Sequence, residues 1–218
     1  SYTQRPSERL NIFSRALTKW RLGFFDRIYC VTIADQKELE ALRVKASVEV
    51  LGDTRYDQVL YRLSHPKPLP MILKPERTCL VAGSTWEEDE SVLIPALADA
   101  LRSRRLQLII APHEPSLKHI QKLKEHLSAL NLDYVLFSAP RRWEDEAVLI
   151  VDTVGVLAEL YQWGDMAFVG GSFKRTVHSV MEPLGAGLIT FVGPYHQNNR
   201  EALEFSEVPI GNFTAVIP

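Results

Sequence analysis

The sequence predicts an α/β fold built on a doubly wound parallel sheet. Three observations predict it. From residue 78 onward, short apolar runs recur, each followed by a stretch of helical periodicity. The runs are near-continuously apolar rather than alternating, which marks strands buried on both faces, as in a parallel sheet covered by helices. Ahead of this regular part lies SHPKPLPMILKP (64–75), holding four of the thirteen prolines, a composition suited to a linker.

The elements follow in order. Leu10, Phe13, Leu17, Trp20 and Phe24 recur at helical spacing among Arg9, Arg15, Lys19 and Arg21, predicting a basic amphipathic helix from Ser7 to Arg27. IYCVTI (28–33) reads as a strand. Asp35 with Glu38 three positions on marks a helix start, with the helix running to about Val44. SVEVL (47–51) is the next strand, closed by Gly52. After the proline-rich stretch come strand 78–84, helix 86–104, strand 106–112, helix 115–130, and strands 133–137 and 147–151. Helix 154–163, strand 166–170, helix 179–187, strand 188–193 and helix 197–206 complete the series. Residue 1 is serine and GNFTAVIP stops within a strand-like run, so both ends read as cuts in a longer protein.

Bulk composition narrows the function. The chain has 218 residues, 46% hydrophobic and 24% charged, which is ordinary globular composition. A net charge of -2 offers no general field for nucleic acid. Cys30 and Cys79 lie inside apolar runs and read as small buried residues of a reducing compartment, not as a disulfide or a metal pair. No apolar run approaches the ~20 residues of a membrane helix, and no signal peptide opens the chain.

In a doubly wound sheet, ligands sit at the carboxyl ends of the strands. Five loops occupy those positions here: Ser84-Thr85-Trp86-Glu87, Pro112-His113-Glu114-Pro115, Asp152-Thr153-Val154-Gly155, Gly170-Gly171-Ser172, and Gly193-Pro194-Tyr195-His196-Gln197-Asn198. They are rich in hydroxyls, amides and imidazoles, with no metal-spaced acids, Walker loop or G-x-G-x-x-G. Such a rim suits a polar, phosphorylated ligand.

Each loop carries a structural reading beside the functional one. Gly170 and Gly171 serve a tight turn, or let the backbone bring amides to a phosphate with Ser172. Ser179 and Glu182 fit a capping box; alternatively, a helix N-terminus faces phosphate while Glu182 accepts ribose hydroxyls. His113 and His178 are satisfied structural residues or phosphate donors. Ser84 with Glu87, Thr85 with Glu88, and Asp152-Thr153 offer N-caps as well as polar groups for the ligand. Trp86, Trp163, Met166 and Met181 read as core packing, and the basic helix as a solvated face or an anionic-membrane face.

The rim motifs, in this order, resemble the Kdo transferases of lipid A biosynthesis, two-domain glycosyltransferases of the GT-B type. The similarity spans nearly the whole chain. Gly52-Asp53-Thr54-Arg55-Tyr56-Asp57 resembles G-N-x-K-F-D, and Ala82-Gly83-Ser84-Thr85 with Glu87 is similar to A-A-S-T-H-E or A-G-S-T. Asp152-Thr153-Val154-Gly155 resembles D-T-M-G-E-L, and Phe168-Val169-Gly170-Gly171-Ser172 matches F-V-G-G-S. His178-Ser179-Val180-Met181-Glu182-Pro183 resembles H-N-P-L-E-P, and Gly193-Pro194-Tyr195-His196-Gln197-Asn198 resembles G-P-H-T-F-N.

This resemblance implies that residues 1–60 are the tail of an acceptor-binding domain, 61–76 a linker, and 77–218 a Rossmann-like donor-binding domain. The implied reaction is inverting, metal-independent transfer of Kdo from CMP-Kdo to a lipid A precursor, on the cytoplasmic side of the bacterial inner membrane, with peripheral membrane association. It implies no cofactor, metal or nucleic-acid partner. The donor-site residues it implies are Ser84, Thr85, His113, Gly170, Gly171, Ser172, His178, Ser179, Glu182 and Asn198. The catalytic base is expected outside this sequence, near the start of the N-terminal domain, so transfer by this chain alone is not expected.

Two positions depart from the family pattern. His113 stands where P-R-H-P-E-R has a phosphate-binding arginine, and Ser179 where the motif has asparagine. Histidine is neither permanently charged nor bidentate. A UDP-sugar transferase or epimerase of the same fold, and a non-catalytic nucleotide-sugar-binding protein, therefore stay open as alternatives.

Overall fold

The computed structural model describes residues 12–69, 77–139, 143–174, 177–197, 199, 202, 206–210 and 213–217. The chain divides into two compact units between Leu60 and Tyr61.

The first unit contains α1 (Ile12–Leu22), β1 (Arg27–Cys30), α2 (Ile33–Ala41) and β2 (Ser47–Val50), with β1 and β2 paired in parallel. Its small core is Ile28, Cys30, Leu39 and Leu42. The first helix is shorter than expected: Gly23 closes it, its amide donating to the Lys19 carbonyl at 3.0 Å, and Arg27 already belongs to β1. Residues 7–11 of the expected helix lie outside the described residues. The second helix starts earlier than expected. Thr32, not Asp35, is its N-cap: the Thr32 hydroxyl accepts from the Asp35 amide at 3.3 Å, and the Asp35 carboxylate accepts from the Thr32 amide at 3.0 Å.

Helix α3 (Thr54–Ser64) was not expected from the sequence. The Asp53 carboxylate starts it by accepting the Arg55 amide at 3.0 Å, and the prolines from Pro66 onward cannot continue it. Residues 70–75 of the proline-rich stretch, and Glu76 after it, lie outside the described residues.

The second unit runs β3 (Cys79–Thr85), α4 (Glu87–Arg102), β4 (Gln107–Pro112), α5 (Leu117–Ala129), β5 (Tyr134–Leu136) and β6 (Val148–Ile150). It continues with α6 (Leu157–Tyr161), β7 (Met166–Val169), α7 (Met181–Gly185), β8 (Ile189–Val192), β9 (Ser206–Ile210) and β10 (Phe213–Ile217). The sheet order is β5-β6-β4-β3-β7-β8-β10-β9. The first six strands are parallel, and β10 is antiparallel to both β8 and β9.

The α/β class is as predicted, with one correction at the edge. Instead of continuing as a helix to 206, the chain forms β9 from Ser206, and β9 pairs with β10. Only residues 211–212 separate these strands, and so short a connection permits antiparallel pairing only. Residues 198, 200, 201 and 203–205 of the expected helix lie outside the described residues.

Strand β3 lies at the centre and shows why the sheet is apolar on both faces. Leu80 and Ala82 pack with Leu93 and Ile94 of α4 and Leu123 of α5. Cys79 and Val81 point the other way, among Leu160, Tyr161 and Trp143. Cys30 and Cys79 are both buried free thiols. From β3 the chain winds outward through β4 and returns on the other side at β7. In folds of this kind the crevice that takes ligands lies at such a reversal, here at the carboxyl ends of β3 and β7.

Two glycines make the crevice possible. A Cβ on Gly83 would lie 2.1 Å from the Tyr161 hydroxyl oxygen, and one on Gly170 would lie 2.2 Å from the Ser84 carbonyl oxygen. At Gly170 the obstacle is backbone, which cannot swing aside. Gly170→Ala is expected to destabilise the second unit by about 3 kcal/mol, the upper range for overpacking. Urea unfolding of the variant beside the wild type measures it.

Candidate functional site

The rim is organised by a carboxylate that the motif reading missed. Asp89, in the first turn of α4, is wholly buried. One of its oxygens accepts the Trp86 amide at 2.9 Å and the Gly171 amide at 2.7 Å; the other accepts the Phe173 amide at 3.1 Å. Burial pushes the Asp89 carboxyl above the usual carboxylate range, while the amides of Gly171, Trp86 and Phe173 pull the other way. The side chain thereby joins the loop after β3 to the loop after β7.

This arrangement corrects the expected role of the glycine loop. The Gly171 amide is spent on Asp89, and the Gly170 amide donates to the Gly83 carbonyl at 2.9 Å. The buried Ser172 hydroxyl donates to the Val169 carbonyl at 3.3 Å and accepts the Gly193 amide at 2.6 Å. The amides of Gly170 and Gly171 and the Ser172 side chain are thus built into the fold.

The expected caps at the end of β3 are also replaced. Trp86 occupies the N-cap position, and Asp89, not Glu87 or Glu88, answers it. Glu87 pairs with Lys122 at 2.8 Å. Ser84 sits in the left-handed region at φ 54°, a strained conformation for a residue with a side chain. Thr85 is buried, and its hydroxyl donates to Glu90 at 2.8 Å. Glu90 in turn meets His119 Nε2 at 3.0 Å through both oxygens, while His119 Nδ1 faces the Glu114 carbonyl at 3.2 Å. Both ring nitrogens face acceptors, an arrangement that favours the imidazolium, and the Glu90 hydrogen bond raises the His119 pKa against the effect of burial. Asp152 accepts the Ser138 amide at 3.0 Å and the Ser138 hydroxyl at 2.5 Å, so it ties two loops rather than capping α6, which starts at Leu157.

Three rings converge above this scaffold, one from each of three strand ends. His113 stacks on His178 with centroids 4.2 Å apart and an interplanar angle of 23°, and its other ring neighbour is Trp86 at 4.8 Å. The Trp86 indole N–H donates to His178 Nε2 at 3.2 Å. An accepting Nε2 places the His178 proton on Nδ1 and leaves the ring neutral. Burial lowers the His178 pKa, and the neighbouring His113 adds to the effect. The His178 backbone is held at both ends, its amide donating to Gly170 at 3.2 Å and its carbonyl accepting the Asn199 side chain at 2.9 Å. Trp86 is therefore part of the rim and not core packing as expected. The Lys174 ammonium lies 3.6 Å from the centre of the Trp86 indole.

The remaining expected residues lie around α7. Ser179 and Glu182 do not form a capping box: Val180 is the N-cap, and the Ser179 hydroxyl accepts the nearby Met181 amide at 3.3 Å. The helix is five residues long, about one turn, so it carries little of the expected dipole. Glu182 forms an ion pair with Arg62 at 2.7 Å. Asn198 lies outside the described residues. The structure thus brings together His113, His178 and the Ser84–Thr85 end of β3 with Gly170–Ser172. Asp89 was legible as an acid three positions after Trp86; Lys174 and the ring stacking had no local signal.

No group of three His, Cys, Asp or Glu among the described residues is placed to hold a metal. No helix among them is long and apolar enough to cross a membrane.

Comparison with known proteins gives this rim a context. No family model matches the chain. It is 33% identical over 130 residues to the 3-deoxy-D-manno-octulosonic acid (Kdo) transferase of Chlamydophila psittaci, a match covering 57% of this chain and 28% of that protein. In sequence the chain is similar to Kdo transferases. It is also 28% identical over 186 residues to a bifunctional glycosyltransferase/methyltransferase of Fusobacterium nucleatum, covering 82% of this chain and 28% of the relative. The chain thus spans 28% of the length of these two relatives. Its fold is similar to that of the C-terminal CMP-Kdo binding domain of WaaA from Acinetobacter baumannii, with a TM-score of 0.55 and 24% identity, covering 70% of this chain and 77% of that one.

Two substitutions test the scaffold. Asp89→Ala leaves three amide donors without their acceptor and is expected to cost about 3 kcal/mol, with faster hydrogen exchange at Gly171 and Phe173. Because the folded pKa of His119 is raised, its contribution to stability is present below the unfolded value near 6.5 and is lost as pH rises through the folded value. Urea midpoints between pH 5.5 and 9 should fall with rising pH more steeply in the wild type than in His119→Gln.

Proposed function

We propose that residues 77–218 form the donor-binding half of a two-domain GT-B Kdo transferase and hold CMP-Kdo. On this reading residues 1–60 close the acceptor domain and 61–76 link the two. The observation that carries the proposal is the His113–His178–Trp86 cluster. It lies at the carboxyl ends of β4, β7 and β3, at the strand-order reversal, in a chain related by sequence to Kdo transferases. Nucleotides are expected in such a crevice.

The nucleotide lies across the rim, with its phosphate near Ser84, His113 and His178 and its ribose toward Ser179 and Glu182. Thr85, Gly170, Gly171 and Ser172 shape the site through the hydrogen bonds described above. As the sugar leaves the phosphate, its anomeric carbon becomes oxocarbenium-like and negative charge grows on the nucleotide. Donors already in place stabilise that charge without reorganising. A base supplied from outside this sequence deprotonates the acceptor hydroxyl, and the transfer inverts the anomeric centre without a metal.

The acceptor is a lipid A precursor at the cytoplasmic face of the inner membrane. Helix α1 supports peripheral association there: Arg15, Lys19 and Arg21 are exposed alongside Leu17 and Trp20.

Calorimetric titration of the chain with CMP, and with UDP as control, tests the reading. CMP is expected to bind, and His178→Ala to weaken it about tenfold, the loss of one good hydrogen bond to an anion. Binding of UDP without CMP would move the assignment to a UDP-sugar enzyme. Binding of neither would remove the donor-site reading.

A further inference from the structure

Around the stacked rings, hydrogen-bond donors outnumber acceptors. Lys174 has no carboxylate partner among the described residues; its ammonium rests on the Trp86 indole at 3.6 Å, which leaves N–H bonds facing outward. Asp89, the α4 acid bonded to this loop, spends its oxygens on the amides of Trp86, Gly171 and Phe173. The exposed His113 ring accepts and donates no hydrogen bond among the described residues, and His178, whose Nε2 is taken by the indole, keeps its Nδ1–H. The Ser84 hydroxyl also has no partner among the described residues, although its backbone is held in the left-handed region.

We infer that Lys174, seated on Trp86, acts with His113, His178 and Ser84 as the phosphate-binding group of the donor site. The inference rests on the donor-site reading and deepens it, because nothing in the motifs singled out Lys174. The chemistry of the cluster selects the ligand class. A neutral sugar offers both donors and acceptors and needs both in return, whereas a phosphate oxyanion offers acceptors only. One permanent cation, two imidazole N–H groups and one hydroxyl match an oxyanion. The residues come from the end of β3 and the loops after β4 and β7, so the group exists only when the three strand ends meet. The indole fixes the lysine from below, which cuts the rotamer freedom lost when an anion binds.

The test titrates the chain with CMP, cytidine and pyrophosphate, by calorimetry and by the ring signals of His113 and His178 in NMR spectra. CMP should bind at least tenfold more tightly than cytidine and shift both sets of ring signals. Lys174→Met should weaken CMP about tenfold while leaving cytidine unchanged, and Lys174→Arg should restore most of the loss. Pyrophosphate should shift the same ring signals and compete with CMP. If Lys174→Met binds CMP like the wild type, the lysine assignment falls while the donor-site reading stands. If pyrophosphate binds in a Lys174-dependent way but CMP does not compete, the anion group stands and the nucleotide reading falls. If neither anion shifts the ring signals, the inference is overturned.

Discussion

The rim depends on one buried carboxylate. Asp89 accepts the amides of Trp86, Gly171 and Phe173, and so locks the start of α4 to the loop that follows β7. Taking an ionised carboxylate out of water is expensive, and a buried charge persists only with partners of this kind. The amides also gain, most of all Gly171, whose bond to Asp89 is buried where water does not replace it. Carboxylates in the first turn of a helix are further favoured by its positive end. With that lock in place, Trp86 stands where its indole reaches His178.

The next residue on α4 performs a matching task on the other side. Glu90 collects the Thr85 hydroxyl and His119 from α5, and His119 reaches on to the Glu114 carbonyl in the loop that carries His113. Two adjacent acids in one helical turn therefore anchor three strand-end loops, Asp89 toward β7 and Glu90 toward β4. Gly83 and Gly170 allow the backbones to close to this distance, and the strained backbone at Ser84 interrupts the regular register of β3 there.

This economy of hydrogen bonds changes what the site can offer a ligand. Gly170-Gly171-Ser172 looks like a phosphate-binding loop, but its first two amides already bind a carbonyl and a carboxylate within the fold. What remains on the rim is side-chain chemistry: an ammonium on an indole, two stacked imidazoles and a hydroxyl. Side chains adjust more readily than a rigid amide nest, and imidazoles bring donors whose number depends on protonation. On the proposed reading, these groups would meet the charge that a leaving nucleotide gathers as its bond to the sugar breaks.

The sequence by itself determined the α/β class, the run of parallel strands and which loops share one rim. Those properties follow from apolar periodicity and chain order, both local quantities. It also carried the family resemblance, through motifs such as FVGGS and the His178–Pro183 stretch. Helix α3 escaped because the adjoining prolines drew attention to a linker, and β9 because its pairing partner β10 is needed to define it. Only the tertiary structure decided how the polar groups are paired. Gly171 offers its amide to Asp89 across 82 positions of chain, and Glu182 meets Arg62 across 120, distances over which no local pattern operates. Every buried polar atom must find a partner, but which one it finds is set by where the strands converge.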